Sequence, residues 1–136
     1  MHGNQCIFVI DDSKAHRSLI KRALKKSGIS QPVLEADSLT AARALFFPAC
    51  PADPLILIVD LNLGDGKGTT LIRELRANES FELVPILVLS TSALETDIDE
   101  SLQSGANAFI TKATDLERLA KDICGAVSKL LGVNTP

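Results

Sequence analysis

At 136 residues the chain suits one domain of ordinary size, able to bury about two-thirds of its unfolded surface without a disulfide or metal staple. Hydrophobic residues make up 46% and charged residues 23%, which excludes wholesale disorder. A net charge of −3 gives no electrostatic case for nucleic acid or an anionic membrane, and no apolar stretch approaches the ~20 residues of a membrane span.

The polar start Met1–Gln5 does not read as a signal peptide, so the cytoplasm is the expected compartment. It runs directly into Cys6–Ile10, a short continuous apolar run that predicts a strand buried on both faces. A helix follows, with Leu19 and Ala23, then Ile20 and Leu24, at a spacing of four, and Gly28 as its stop. Val33–Ala36 carries a charge and follows Pro32, which predicts an edge strand. Leu39, Ala42 and Phe46 mark a second helix, and a proline-rich connection spans Phe47 to Pro54. Leu55–Val59, Ile86–Leu89 and Ala108–Ile110 are further buried strands. Ile98 and Leu102 suggest an apolar face for a helix stopped by Gly105. Leu116, Leu119, Ile123, Val127 and Leu130 define the last helix, with Asp115 as its N-cap.

Strand and helix thus alternate five times, which implies an α/β fold with a parallel sheet, helices on both faces and right-handed crossovers. The chain reads as a single domain over 1–136, with a core of about 5–131 and nothing after Leu131 able to fold as an output domain. Cys6, Cys50 and Cys124 are odd in number and irregular in spacing, so no disulfide framework or zinc site is expected. His2 and His16 are isolated and carry no expected role.

Ligands of open parallel sheets bind beyond the carboxyl ends of the strands. Strand one ends in Asp11-Asp12, strand three in Asp60, strand four in Ser90-Thr91 and strand five in Thr111-Lys112. Singly, each is as easily a helix cap, a turn former or a solvated charge. Together they are different, because clustered acids repel and call for cations. Lys112 is one, and Mg²⁺ supplies the rest, since oxygen-only ligands suit a hard divalent ion. Such a site serves phosphoryl transfer, which needs positioning and charge stabilisation. Asp60, solitary at the end of the central strand, is the best acceptor for an aspartyl phosphate. A hydroxyl on Ser90 could then bind a phosphoryl oxygen and draw the strand-four loop inward.

Four pieces in order carry a resemblance: Ile10-Asp11-Asp12-Ser13; Val59–Leu63 with Asp65–Gly68; Pro85–Ser90; and Gly105-Ala106 with Phe109–Lys112. Over about Gln5 to Leu131 the chain resembles the receiver (response regulator) family of two-component signalling, in its single-domain, chemotaxis-regulator-like form. The resemblance implies a flavodoxin-like (βα)5 fold, doubly wound, with sheet order 2-1-3-4-5; that order comes from the family and not from the spacing of the runs. It implies phosphorylation on Asp60, a metal held by Asp12 directly, Asp11 through water, Asp60, and the backbone carbonyl of Asn62, and phosphate contact by Lys112. Counting from Pro85 makes Ser90 the switch hydroxyl, with Thr91 beside it as second choice. Phe109 is either the aromatic switch or plain core packing.

The implied role is that of a signalling phosphoacceptor, not an enzyme beyond assisting its own phosphorylation and dephosphorylation. The implied donor is a histidine kinase or histidine phosphotransfer protein facing the first helix. The implied output is a change in the fourth helix, fifth strand and fifth helix, read by a partner protein or by self-association. Two departures stand out. Ala113 follows Lys112 where the family usually has proline, leaving either a costly cis bond or a trans bond that displaces Lys112. Gly64 stands where proline is frequent, which predicts a more mobile loop. Three rivals fit less well. A dehalogenase-type phosphatase separates its two acids by one residue, and a phosphate-loop nucleotide binder needs Ser or Thr after Lys67, where Gly68 stands. A non-phosphorylated pseudo-receiver would have no need of the intact acid set.

Overall fold

The computed structural model describes residues 5–132; His2 lies outside them. The elements are β1 (Gln5–Ile10), α1 (Lys14–Lys26), β2 (Val33–Ala36), α2 (Leu39–Phe46), β3 (Asp53–Asp60), α3 (Gly68–Arg76), a 3₁₀ turn (Glu79–Phe81), β4 (Ile86–Ser90), α4 (Glu95–Ser104), β5 (Ala108–Thr111) and α5 (Leu116–Leu131). The strands form one parallel sheet in the order β2-β1-β3-β4-β5. The fold class expected from the alternation and the resemblance is therefore the one observed.

The continuous apolar runs have a simple cause. Successive strand residues point to opposite faces, and both faces are covered. Phe8, Ile10, Leu57, Val59, Ile86 and Val88 enter one core with α2 and α3. Ile7, Val9, Ile56, Ile58, Leu87 and Leu89 enter the other with α1 and α5. Strand β3 begins two residues before the predicted run and includes Pro54. A proline cannot donate to a ladder, and this one sits near the strand start, beside a register shift between Cys6 and Ile7.

The starts of α1, α2 and α5 are fixed by side-chain oxygens. Ser13 Oγ accepts the His16 N–H, Ser38 Oγ accepts the Ala41 N–H, and Asp115 accepts from Glu117 and Arg118. Gly105 follows the last residue of α4, and Gly28 lies two residues past α1 with φ +81°. The expected inward face of α4 needs correction. Leu102 is 45% exposed, and the buried positions are Ser101 and Ser104. Their hydroxyls donate to the carbonyls of Asp97 and Ser101, so the helix buries them without an unmet hydrogen bond. Leu116, expected on the buried stripe of α5, is also exposed.

Charge is divided across the sheet. Helix α1 carries Lys14, Arg17, Lys21, Arg22, Lys25 and Lys26 and no acid. Arg17 and Lys21 pair with Glu35 of β2, while Lys14, Arg22, Lys25 and Lys26 face solvent. Helix α4, beside α3 on the other face, carries Glu95, Asp97, Asp99 and Glu100 and no base.

Candidate phosphoacceptor and metal site

The carboxyl ends of β1, β3 and β5 bring their polar residues to one rim. Asp11, directly after β1, is buried; its Oδ1 accepts the Ser13 N–H at 2.9 Å in a tight turn that opens α1. The capping role considered for the acid pair falls to Ser13, and Asp11 both shapes the turn and faces the site. Asp12 is exposed. Asp60 ends β3, buried, with Oδ1 accepting the Asn62 N–H at 3.2 Å. One carboxylate oxygen from each of Asp11, Asp12 and Asp60 lies within 4.8 Å of the others.

Lys112 reaches this cluster from just beyond β5. Its Nζ donates to Asp11 Oδ2 at 3.0 Å and Asp60 Oδ2 at 3.1 Å. The Lys112–Ala113 bond is not cis, yet Lys112 is not displaced. Its backbone N–H donates to the Ser90 carbonyl at 2.6 Å, which ties the lysine to the tip of β4.

One ammonium against three carboxylates leaves two negative charges uncompensated. Burial pushes the Asp60 carboxyl above its ordinary value, Asp11 pushes it further the same way, and Lys112 pulls it down. A close-set, all-oxygen cluster with that deficit fits a hard divalent cation. Leu61 and Leu63 on either side of Asn62 are bonded across to Gly68 and Gly66, and the Asn62 carbonyl stands outside those bonds.

The loop after Asp60 is held more firmly than its glycines suggest. Gly64 has φ +80°, a backbone angle that proline cannot adopt. Asp65 anchors the loop to the start of α2, accepting the N–H groups of Leu39 and Thr40 at 2.7 and 3.0 Å and the Thr40 hydroxyl at 2.7 Å. Those bonds hold its carboxyl down to about 2. Helix α3 then starts against the strand end: a Cβ at Gly68 would fall on the Asp60 carbonyl oxygen.

Ser90 is fully buried, with its Oγ accepting the Ser92 N–H at 3.0 Å. Thr91 is exposed. Phe109 is half-buried against the same core as Val88, its register partner, and strand alternation puts Ser90 on that side too. His16 carried no expected role, yet its Nδ1 lies 3.1 Å from Lys112 Nζ. Its place five residues after Asp11, on the first turn of a helix leaving the rim, was the available sequence signal.

Comparison with known proteins decides the family. The response regulator receiver domain profile matches residues 7–124. The chain belongs to the response regulator receiver family. It is 32% identical over 127 residues to response regulator Rcp1 of Synechocystis sp., covering 90% of this chain and 86% of that protein. It is 31% identical over 106 residues to chemotaxis protein CheY1 of Helicobacter pylori, covering 78% and 83%. Among solved structures, the phosphorylated cyanobacterial phytochrome response regulator RcpA superposes with a TM-score of 0.86 at 28% identity over 98% of both chains. The Mn²⁺-bound form of Rcp1 superposes at 0.83, with 30% identity over 96% of this chain and 98% of that one. Among the described residues of this receiver, no helix is long and apolar enough to cross a membrane.

Proposed function

We propose that this receiver is a phosphoacceptor switch in a two-component phosphorelay, taking a phosphoryl group on Asp60 from a histidine kinase or histidine phosphotransfer protein in the cytoplasm. The observation that carries the reading is the double engagement of Lys112, which holds Asp60 Oδ2 and Asp11 Oδ2 inside a cluster short of two positive charges. Asp12, Asp60, the Asn62 carbonyl and, through water, Asp11 would hold Mg²⁺. The ion, when bound, neutralises the phosphoryl oxygens and balances the acids.

A carboxylate oxygen of Asp60 attacks phosphorus as the bond to the donor nitrogen breaks. The electron pair of that bond leaves with the imidazole, which takes up a proton. Lys112 shifts an N–H from the carboxylate to a phosphoryl oxygen. The Ser90 hydroxyl turns toward another, leaving the Ser92 N–H it now accepts, with Thr91 at the rim as the second hydroxyl within the same loop. Phe109 follows into the space released on its face of the sheet. The α4-β5-α5 surface changes as a result, for a protein target or for self-association, while α1 faces the donor.

The test is intact mass after incubation with Mg²⁺ and acetyl phosphate, beside Asp60→Asn and an EDTA control. A Mg²⁺-dependent phosphoryl adduct, absent from the variant, is the expected result. A folded wild type that gains no adduct would make the chain an interaction module instead.

A further inference from the structure

Lys112 is not shared by the two carboxylates alone. An ammonium has three N–H donors and no acceptor. Two point to Asp11 Oδ2 and Asp60 Oδ2, and the third meets His16 Nδ1 at 3.1 Å. Because the ammonium can only donate, a bond here requires Nδ1 to accept, as it does in the tautomer that carries its ring proton on Nε2. Asp11 Oδ1 is 4.0 Å from the same nitrogen, beyond hydrogen-bond reach. The Lys112 side chain is only 5% exposed, so bulk water is a poor substitute for a lost acceptor. His16 is presented by a fixed element: it sits on the first turn of α1, its backbone N–H held by the Ser13 cap at 3.2 Å.

We propose that His16 is a positioning residue for phosphoryl transfer, fixing the third direction of the Lys112 ammonium so that one N–H stays aimed at Asp60 Oδ2. The proposal rests on Asp60 being the phosphoacceptor. With the two carboxylates alone, the ammonium can slide toward Asp11 and abandon Asp60. A third acceptor from a different element opposes that slide, since all three N–H donors are then paired and a move toward Asp11 would break the bond to His16 as well. During transfer the Asp60 oxygen is consumed in a bond to phosphorus. Asp11 and His16 are then the two anchors that remain, and the lysine pivots to a phosphoryl oxygen without leaving the site. None of the residue roles that the family resemblance supplies belongs to this position.

The test reads Lys112 and the chemistry separately. In metal-free protein labelled with ¹⁵N, the Lys112 ammonium signal and its hydrogen-exchange rate are recorded for wild type, His16→Ala and His16→Gln. Phosphorylation by acetyl phosphate with Mg²⁺ is timed for the same three proteins. His16→Ala is expected to speed ammonium exchange and to slow phosphorylation, each by about fivefold, the scale of one hydrogen bond. His16→Gln, whose side-chain carbonyl can still accept, is expected to recover most of both. An unchanged ammonium signal in His16→Ala overturns the proposal, even if transfer slows, because the effect would then not pass through Lys112. An altered signal with an unchanged rate overturns it too. A wild type that gains no adduct sinks the phosphoacceptor reading and the role in transfer with it, while the ammonium signal still reports whether His16 holds Lys112.

Discussion

The Ser90 hydroxyl accepts the Ser92 backbone N–H at 3.0 Å, and the Ser92 hydroxyl carries the connection on into α4. Ser92 Oγ donates to Asp97 Oδ2 at 2.6 Å and accepts the Leu94 N–H at 3.2 Å. Helix α4 has no capping side chain at Leu94, so Ser92 is what ties its first turn to the end of β4. Ser92→Ala should therefore loosen that turn, speeding amide exchange at Asp97 and Ile98 by about fivefold, as loss of a cap does. Hydrogen exchange followed by NMR would check this, and unchanged protection there would deny the tie.

Asp60 is a buried acid raised by its surroundings, and in the metal-free protein its charge works against folding. Replacing it with an isosteric neutral group removes the repulsion with Asp11 and leaves Lys112 paired. Asp60→Asn should stabilise the protein by about 1 kcal/mol in EDTA, as functional-site substitutions often do. Urea unfolding measures it; a lower midpoint with an unchanged slope would show that the bond to Lys112 outweighs the repulsion.

If the three acids hold Mg²⁺ only in the folded state, the metal must stabilise the fold by mass action. At a hundred times its dissociation constant the gain is about 2.7 kcal/mol. Thermal unfolding with Mg²⁺ and with EDTA should differ by that much in the wild type and much less in Asp12→Asn. Asp12 is exposed, so the variant itself should unfold within about 0.5 kcal/mol of wild type in EDTA. Equal metal gains in both proteins would remove Asp12 from the ligand set.

Asp65 makes a pH-dependent anchor. Its carboxyl falls from an ordinary 3.8 to about 2 because Leu39 and Thr40 donate to the ionised form. A depressed acid stabilises the fold above the unfolded value and loses that contribution as pH falls through the folded one. The amide signals of Leu39 and Thr40 should hence stay steady down to about pH 4 and move together below it, toward a midpoint of about 2. Movement centred near the ordinary value would mean that the bonds to α2 are not formed in solution.

Much of this was legible in the sequence because the sheet is buried on both faces. Continuous runs such as Ile7–Ile10 and Ile86–Leu89 have no solvated alternative, and the polar residue ending each run marks the rim. Asp11, Asp60 and Lys112 could be read that way because each lies next to its strand. His16 could not, since what gives it meaning is a contact with a residue 96 positions away. Leu102 and Leu116 were misplaced because periodicity shows where an apolar stripe runs but not how much of it a neighbour covers. The loop at Gly64 looked loose for a similar reason: its anchor, Asp65, bonds to a helix 25 residues upstream.

The separation of cations on α1 from carboxylates on α4 gives the molecule a dipole moment across its sheet. Such a body does not meet a charged partner at random angles. Its long-range field turns it during approach, so that α1 leads toward negative surfaces and α4 toward positive ones. Orientation is then chosen before contact. Rising salt should slow the encounter far more than it shortens the life of a complex once formed.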